Sequence, residues 1–263
     1  MKLWIQLPSQ RGKDRIQFRP YLDIIGRIKR PDTEVSFQPI PPGPGLSSLE
    51  GFGHYGLRFM NDREVLRNVS RAQEEGYDGA IIACYFDPAL RAARQMLSIP
   101  VVGIAEASML LAGLMGLRFA VVTSDHRYLD DMTETIHLYG MASRAIGTRP
   151  VRAINMGESQ FLSCLGGAFD PLVEDFTEVA EGCIQDGAQV VIAGCGLLSP
   201  ALTQAGVSQV GNAPVIDPTI AAIKVSEMMV DMRRASFPVV SRTGMFAEIP
   251  KEVLEGAGNS GLL

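Results

Sequence analysis

Two hydrophobic patterns alternate along the chain. Short strand-like runs occupy 3–7, 35–39, 80–83 and 101–104, and a second set occupies 119–122, 151–154, 190–193 and 215–216, several of them continuous Val, Ile and Ala. Runs of Val, Ile and Ala without polar interruption are what parallel strands covered on both faces require. Between them the apolar positions widen to a helical period: Val65, Val69 and Ala72 within 62–75, and Leu172, Phe176, Val179 and Ala180 within 171–185. A last amphipathic stretch covers 220–234. Strand–helix alternation of this kind predicts right-handed βαβ units. The expected fold is α/β, with two pseudo-symmetric lobes, each a roughly four-stranded parallel sheet flanked by helices. The first lobe would comprise 1–104 with 218–263 returning to it, and the second 105–217.

One segment breaks the alternation. Residues 39–59 hold Pro39-Ile40-Pro41-Pro42-Gly43-Pro44-Gly45 and then Gly51-Phe52-Gly53-His54-Tyr55-Gly56, a density of Gly and Pro that predicts loop rather than helix or strand. It reads either as a lid over a cleft or as a plain surface loop.

The two strand sets also share a motif. Glu75-Gly76-Tyr77-Asp78-Gly79-Ala80-Ile81-Ile82-Ala83-Cys84 parallels Asp186-Gly187-Ala188-Gln189-Val190-Val191-Ile192-Ala193-Gly194-Cys195. The match continues in Pro88-Ala89-Leu90 with Pro200-Ala201-Leu202, and in Pro100-Val101-Val102-Gly103 with Pro214-Val215-Ile216-Asp217. Each half therefore ends its third strand in a thiol. Ligands of open α/β sheets bind beyond the carboxyl ends of the strands, so a cleft between the lobes would bring Cys84 and Cys195 to one substrate. A following helix N-terminus would lower each thiol's pKa toward a thiolate and offer amides to a developing oxyanion. Two sulfurs on opposite faces of a carbon acid suit two-base proton transfer, one removing a proton while the other delivers one. Cys164 and Cys183 lie in helical segments without a matching partner and read as core residues.

Composition removes several alternatives. The 263 residues are 46% hydrophobic and 20% charged, with a net charge of −5, which describes an ordinary globular chain. The cluster Arg27, Lys29 and Arg30 reads as a solvated helix end rather than a nucleic-acid footprint. No apolar run reaches the roughly 20 residues needed to span a bilayer, and 1–7 reads as a strand rather than a signal peptide. A cytoplasmic location follows as the expectation, with the four cysteines reduced. His54, His126 and His137 lack metal-ligand spacing, no CxxC occurs, and neither a P-loop nor a GxGxxG after the first strand is present. Neither metal nor cofactor is expected, and the partner is a small-molecule substrate.

Secondary candidates surround the cysteines. Thr123 and Ser124 end the strand over 119–122 and can receive a substrate carbonyl, or simply cap a helix with Asp125. Tyr128 lies within the next turn. Glu106 sits near the cleft but, with Ser108, reads as a helix start.

The segments 82–90 (Ile-Ala-Cys-Tyr-Phe-Asp-Pro-Ala-Leu), 103–107 (Gly-Ile-Ala-Glu-Ala), 118–124 (Arg-Phe-Ala-Val-Val-Thr-Ser) and 194–197 (Gly-Cys-Gly-Leu) with 214–217 resemble the aspartate/glutamate racemase superfamily, and within it the hydantoin racemase family. The resemblance implies a two-lobed fold, cofactor-independent racemisation with Cys84 and Cys195 as the two proton-transfer groups, and a homo-oligomer. The family's Asn-Pro-Asn type segment after the first strand is replaced by Gln6-Leu7-Pro8-Ser9-Gln10, leaving Gln6 and Ser9 as substrate hydrogen-bonding groups. Amino-acid racemases follow their cysteines with polar residues, whereas Tyr85-Phe86 and Gly196-Leu197 make an apolar floor here. That floor, with Phe52, His54 and Tyr55 of the loop, points to a ring or an apolar side group rather than glutamate or aspartate. Alternatives are a maleate-type cis-trans isomerase or a decarboxylase of the same superfamily using a cysteine thiolate, and, outside enzymes, a small-molecule binding protein.

Overall fold

The computed structural model describes residues 1–10, 19–43 and 45–259. The first half runs β1 (Lys2–Gln6), α1 (Arg19–Ile28), β2 (Glu34–Gln38), α2 (Leu49–Phe52), α3 (Tyr55–Glu74), β3 (Gly79–Ile82), α4 (Leu90–Met96), β4 (Val101–Gly103) and α5 (Ile104–Met115). The second runs β5 (Phe119–Thr123), α6 (Leu129–Leu138), β6 (Val151–Ala153), α7 (Glu158–Cys164), α8 (Asp170–Gln185), β7 (Val190–Ala193), α9 (Leu198–Gln204), β8 (Gln209–Val210), β9 (Ala213–Ile216) and α10 (Pro218–Arg234). A last helix, α11, covers Lys251–Asn259.

The first sheet has the order β2-β1-β3-β4 with every pairing parallel. In the second, β6-β5-β7-β9 repeats that winding in parallel, and β8 adds an antiparallel edge to β9. The first and third strands of each set are neighbours, with Gln6 opposite Ile82 and Val122 opposite Ala193. Each cysteine therefore follows a central strand, beside the end of the first strand of its set.

Side-chain alternation explains the unbroken apolar runs. Leu3, Ile5 and Ile81 of one sheet and Val121, Val190 and Ile192 of the other point into a single interior shared with α5 and α10. Trp4, Ala80 and Ile82 face the opposite way, against α3 and α4, while Ala120, Val122, Val191 and Ala193 face α8 and α9. A strand buried on both faces has no polar side to display. The last long helix, α10, packs on β3, β4 and α5.

The structure corrects two expectations and adds a detail to a third. Beside its four parallel strands the second sheet carries one extra edge strand. Its extra strand is two residues long and is joined to β9 by the tight turn Gly211-Asn212, with Gly211 at φ 55; a Gly-Asn pair between short apolar stretches is itself a hairpin signal. The segment 39–59 contains α2 and the start of α3. And α3 begins at Tyr55 rather than 62 because its first turns are inverted. Arg58 and Asn61 are buried, while Tyr55, Leu57, Phe59 and Met60 are exposed, the reverse of the pattern that marks a surface helix. Among the described residues no helix is long and apolar enough to cross a membrane.

Candidate active site

Beyond β3 the Ala83 amide still donates to Gln6 O at 2.9 Å, continuing the ladder, and the chain then folds into a tight turn. The Asp87 amide donates to Cys84 O at 2.9 Å, and Asp87 and Ala89 take left-handed backbone conformations with φ 44 and 57. Non-glycine residues hold such angles only where their surroundings fix them. Here the Asp87 carboxylate does so, accepting the amides of Ala105 (3.1 Å) and Glu106 (3.0 Å) at the start of α5 and the Tyr139 hydroxyl (2.8 Å). Cys195 follows β7 in the same manner, after the Gly194 amide has donated to Val122 O at 2.8 Å. Gly194 admits no side chain, since a Cβ there would lie 2.3 Å from Val121 Cγ1.

Both cysteines line one cavity of about 390 Å³, one arriving from each sheet. Tyr85, Phe86, Tyr128, Gly196 and Leu197 line it as well, so these five candidates and the two thiols are brought together. The Phe86 and Tyr128 rings meet edge to face, 5.2 Å between centroids. The opposite wall comes from Tyr21 and Leu22 of α1, Val35 to Phe37 of β2, and Phe52. Polar groups enter through Ser9, Ser36, Ser47, Ser48 and Thr219.

Four candidates do not line it: Ser124, whose hydroxyl bonds the Cys195 sulfur, and Gln6, Thr123 and Tyr55. Gln6 is fully buried and its amide is committed to the fold. It accepts from Trp4 Nε1 and Asn68 Nδ2, both at 2.9 Å, and donates to Leu7 O and Gln38 O. It is absent from the cavity wall and has no group left for a substrate. Thr123 is equally buried, its hydroxyl donating to Gly194 O at 3.1 Å, so it ties β5 to the Cys195 strand. Tyr55 is 70% exposed and lines a separate, smaller pocket behind Cys84.

The two sulfurs have unequal surroundings. Burial pushes the Cys84 thiol up to about 12, with the Phe86 amide opposing the shift and Cys195, Asp62 and Asp87 adding to it. This reverses the expectation of a lowered pKa at Cys84. The helix after it does not start until Leu90, so one amide acts on the sulfur where a full helix terminus was expected, and loss of water prevails. Cys195 is half-buried, and the Ser124 hydroxyl donates to its sulfur at 3.2 Å. At neutral pH iodoacetamide is expected to alkylate the half-buried Cys195 and to leave the buried Cys84 intact, read by peptide mass spectrometry.

Several site residues escaped the sequence reading. Arg58 lies 4.1 Å from the Phe86 ring centre, donates to Phe52 O at 2.9 Å and pairs with Asp131. Its place on an inverted helix face gave no periodic signal. Asp87 carried one, the acidic residue of Cys84-Tyr85-Phe86-Asp87-Pro88, whose partners are distant in sequence.

Known proteins resemble this arrangement over most of its length. The family described as Asp/Glu/hydantoin racemase matches residues 58–225. A hydantoin racemase of Pseudomonas sp. (strain NS671) is 30% identical over 210 residues, covering 77% of this chain and 76% of that protein. One from Rhizobium meliloti is 30% identical over 207 residues, covering 77% and 78%. Among solved structures, the allantoin racemase from Klebsiella pneumoniae superposes with a TM-score of 0.76 at 26% identity, covering 95% of this chain and 94% of that one.

Proposed function

The chain belongs to the Asp/Glu/hydantoin racemase family, and from that premise we propose that it racemises hydantoins carrying an apolar substituent at C5. The observation that carries this reading is the convergence of Cys84 and Cys195 on one cavity whose walls are largely apolar. A hydantoin is a neutral ring whose C5–H is acidified by the adjacent carbonyl. Such a ring enters an apolar cavity without the desolvation penalty of a zwitterion. The hydroxyls of Ser9, Ser36, Ser47 and Ser48 supply hydrogen bonds to its amide groups, and Phe37, Phe52 and Leu197 take the substituent.

The unequal thiols divide the chemistry. Cys84, pushed up to about 12 by burial, presents its proton. Cys195, half-buried and bonded by Ser124, takes the role of the base. The Cys195 thiolate removes the C5 proton from one face, the electron pair passes onto the neighbouring carbonyl, and the Cys84 thiol returns its proton to C5 from the other face. The product has inverted configuration, with Cys195 now a thiol and Cys84 a thiolate.

The test follows optical rotation and C5 deuterium content together, in D₂O, for 5-benzylhydantoin, 5-isopropylhydantoin and allantoin. The expected result is loss of rotation with one deuteron gained per inversion, faster for the two apolar hydantoins. Turnover of allantoin alone would overturn the substrate assignment, and loss of rotation without deuterium would overturn the proton-transfer chemistry.

A further inference from the structure

Behind Cys84 lies a second space of about 160 Å³ with a different character. It is lined by Tyr55, Arg58, Asn61 and Asp62 of α3 and by Asp131 of α6. Phe52, Cys84 and Phe86 are common to its lining and to that of the apolar cavity, so they form the partition between the two. The polar groups here are mostly engaged. Arg58 serves Phe52 O and Asp131, and Asn61 donates to Pro8 O at 2.9 Å and accepts from the Leu46 amide at 2.8 Å. Asp62, by contrast, makes no hydrogen bond or ion pair among the described residues.

We propose that Asp62 relays protons between solvent and Cys84 through water held in this polar pocket. The proposal rests on the two-thiol reading and extends it. Each turnover leaves the pair with reversed protonation, Cys84 as thiolate and Cys195 as thiol, and the same enantiomer is accepted again only after both are reset. A product in the apolar cavity separates the thiols from water on that side. The polar pocket reaches Cys84 from the other side and has room for several waters. The Asp62 carboxyl gives its proton through water to the Cys84 thiolate and regains one from solvent, while Cys195 loses one to solvent as product leaves. The charged and titratable groups around Asp62 are Arg58 and Tyr55 on its own helix, Asp131 on α6, and Cys84 itself. Burial raises the Asp62 carboxyl to about 6, with Arg58 opposing and Asp131 adding. A carboxyl at that level still carries protons near neutrality and passes them downhill to a sulfur that burial holds at about 12.

The test compares Asp62→Asn and Asp62→Glu with wild type, in the direction that consumes the Cys84 proton. Asp62→Asn is expected to lower kcat by about 10²-fold while kcat/KM changes less than about twofold, because the reset follows product formation. Asp62→Glu should recover most of kcat, and added formate should rescue Asp62→Asn in proportion to its concentration. An unchanged kcat in Asp62→Asn would overturn the relay. So would equal losses in kcat and kcat/KM that neither formate nor Glu restores, since these describe a structural role. Failure of wild type to racemise any hydantoin would instead overturn the two-thiol reading, and the relay with it.

Discussion

Cys84→Ala is expected to lose net racemisation by at least about 10²–10⁴-fold yet keep one partial reaction. Its Cys195 thiolate still removes the C5 proton of the enantiomer that presents that proton to it. In D₂O a deuteron returns to the same face, so this enantiomer exchanges without inverting. Cys195→Ala is expected to lose racemisation to the same degree and nearly all exchange as well. Its remaining sulfur is Cys84, which burial holds as a thiol up to about 12; exchange of the opposite enantiomer should emerge in this variant only as pH rises toward that value. Polarimetry reads inversion and proton NMR reads exchange at C5. Near-wild-type racemisation in either variant would sink the two-base mechanism, and equal exchange in both at neutral pH would sink the division of roles. Cys164 and Cys183 provide the controls. Both are buried in the layer between the second sheet and α8, away from the cavity wall, so their alanine variants lose stability and keep turnover.

This asymmetry separates what was legible in the sequence from what was not. The third strand of each set declared itself because both of its faces are buried, which leaves an unbroken apolar run such as 190–193. The cysteines followed because they stand at equivalent places in two runs that align position for position. Their surroundings were not legible. The shift at Cys84 comes from its burial and from Cys195 and Asp62, distant in sequence, which no local pattern assigns to residue 84. The beginning of α3 was hidden for a related reason. Arg58 and Asn61 are buried because they serve Phe52 O, Asp131, Pro8 O and the Leu46 amide, and a buried polar face makes the hydrophobic pattern point the wrong way. Gln6 failed in the opposite sense, since nothing in Trp4-Ile5-Gln6 shows that Trp4 and Asn68 take its oxygen.

The repeat breaks most informatively where it aligns Gly103 with Asp217, and the largest expected stability effect lies there. Asp217 caps its own helix, its carboxylate accepting the amides of Thr219 at 2.9 Å and Ile220 at 3.2 Å, with the Tyr21 hydroxyl at 3.1 Å. At the equivalent start of α5 stands Gly103, which has no side chain to cap with. Asp87 reaches over from the Cys84 turn and accepts the second and third amides of α5, together with the Tyr139 hydroxyl. Gly103 is required by this substitution, because a Cβ on it would lie 2.3 Å from the Asp87 carboxyl.

Asp87→Ala therefore removes a helix cap, about 1 kcal/mol, and leaves the half-buried Tyr139 hydroxyl without its partner, at most about 1–3 kcal/mol. It also releases the left-handed turn that holds Cys84. A fall in Tm of roughly 4–16 °C is expected, with loss of racemisation beyond what stability explains. Adding Gly103→Asp to this variant rebuilds the second-half arrangement in the first half. The backbone allows it, since Gly103 (φ −88, ψ 142) resembles Asp217 (φ −83, ψ 113). The double variant should recover most of the lost Tm but not the activity, because the new cap no longer ties the helix to the cysteine turn. Gly103→Asp alone, with both carboxylates in one place, should be the least stable of the three. Asp87 also leaves a pH signature. Burial raises its carboxyl from 3.8 to about 7, so the native state holds a proton that the unfolded chain releases earlier. The stability this contributes is complete below 3.8 and is lost as pH rises through about 7. Relative to Asp87→Asn, wild type should therefore lose up to about 1.4 kcal/mol per pH unit across that window, measured by urea unfolding. Parallel pH profiles would mean that the capping carboxylate is ionised throughout, and that the three hydrogen bonds outweigh its burial.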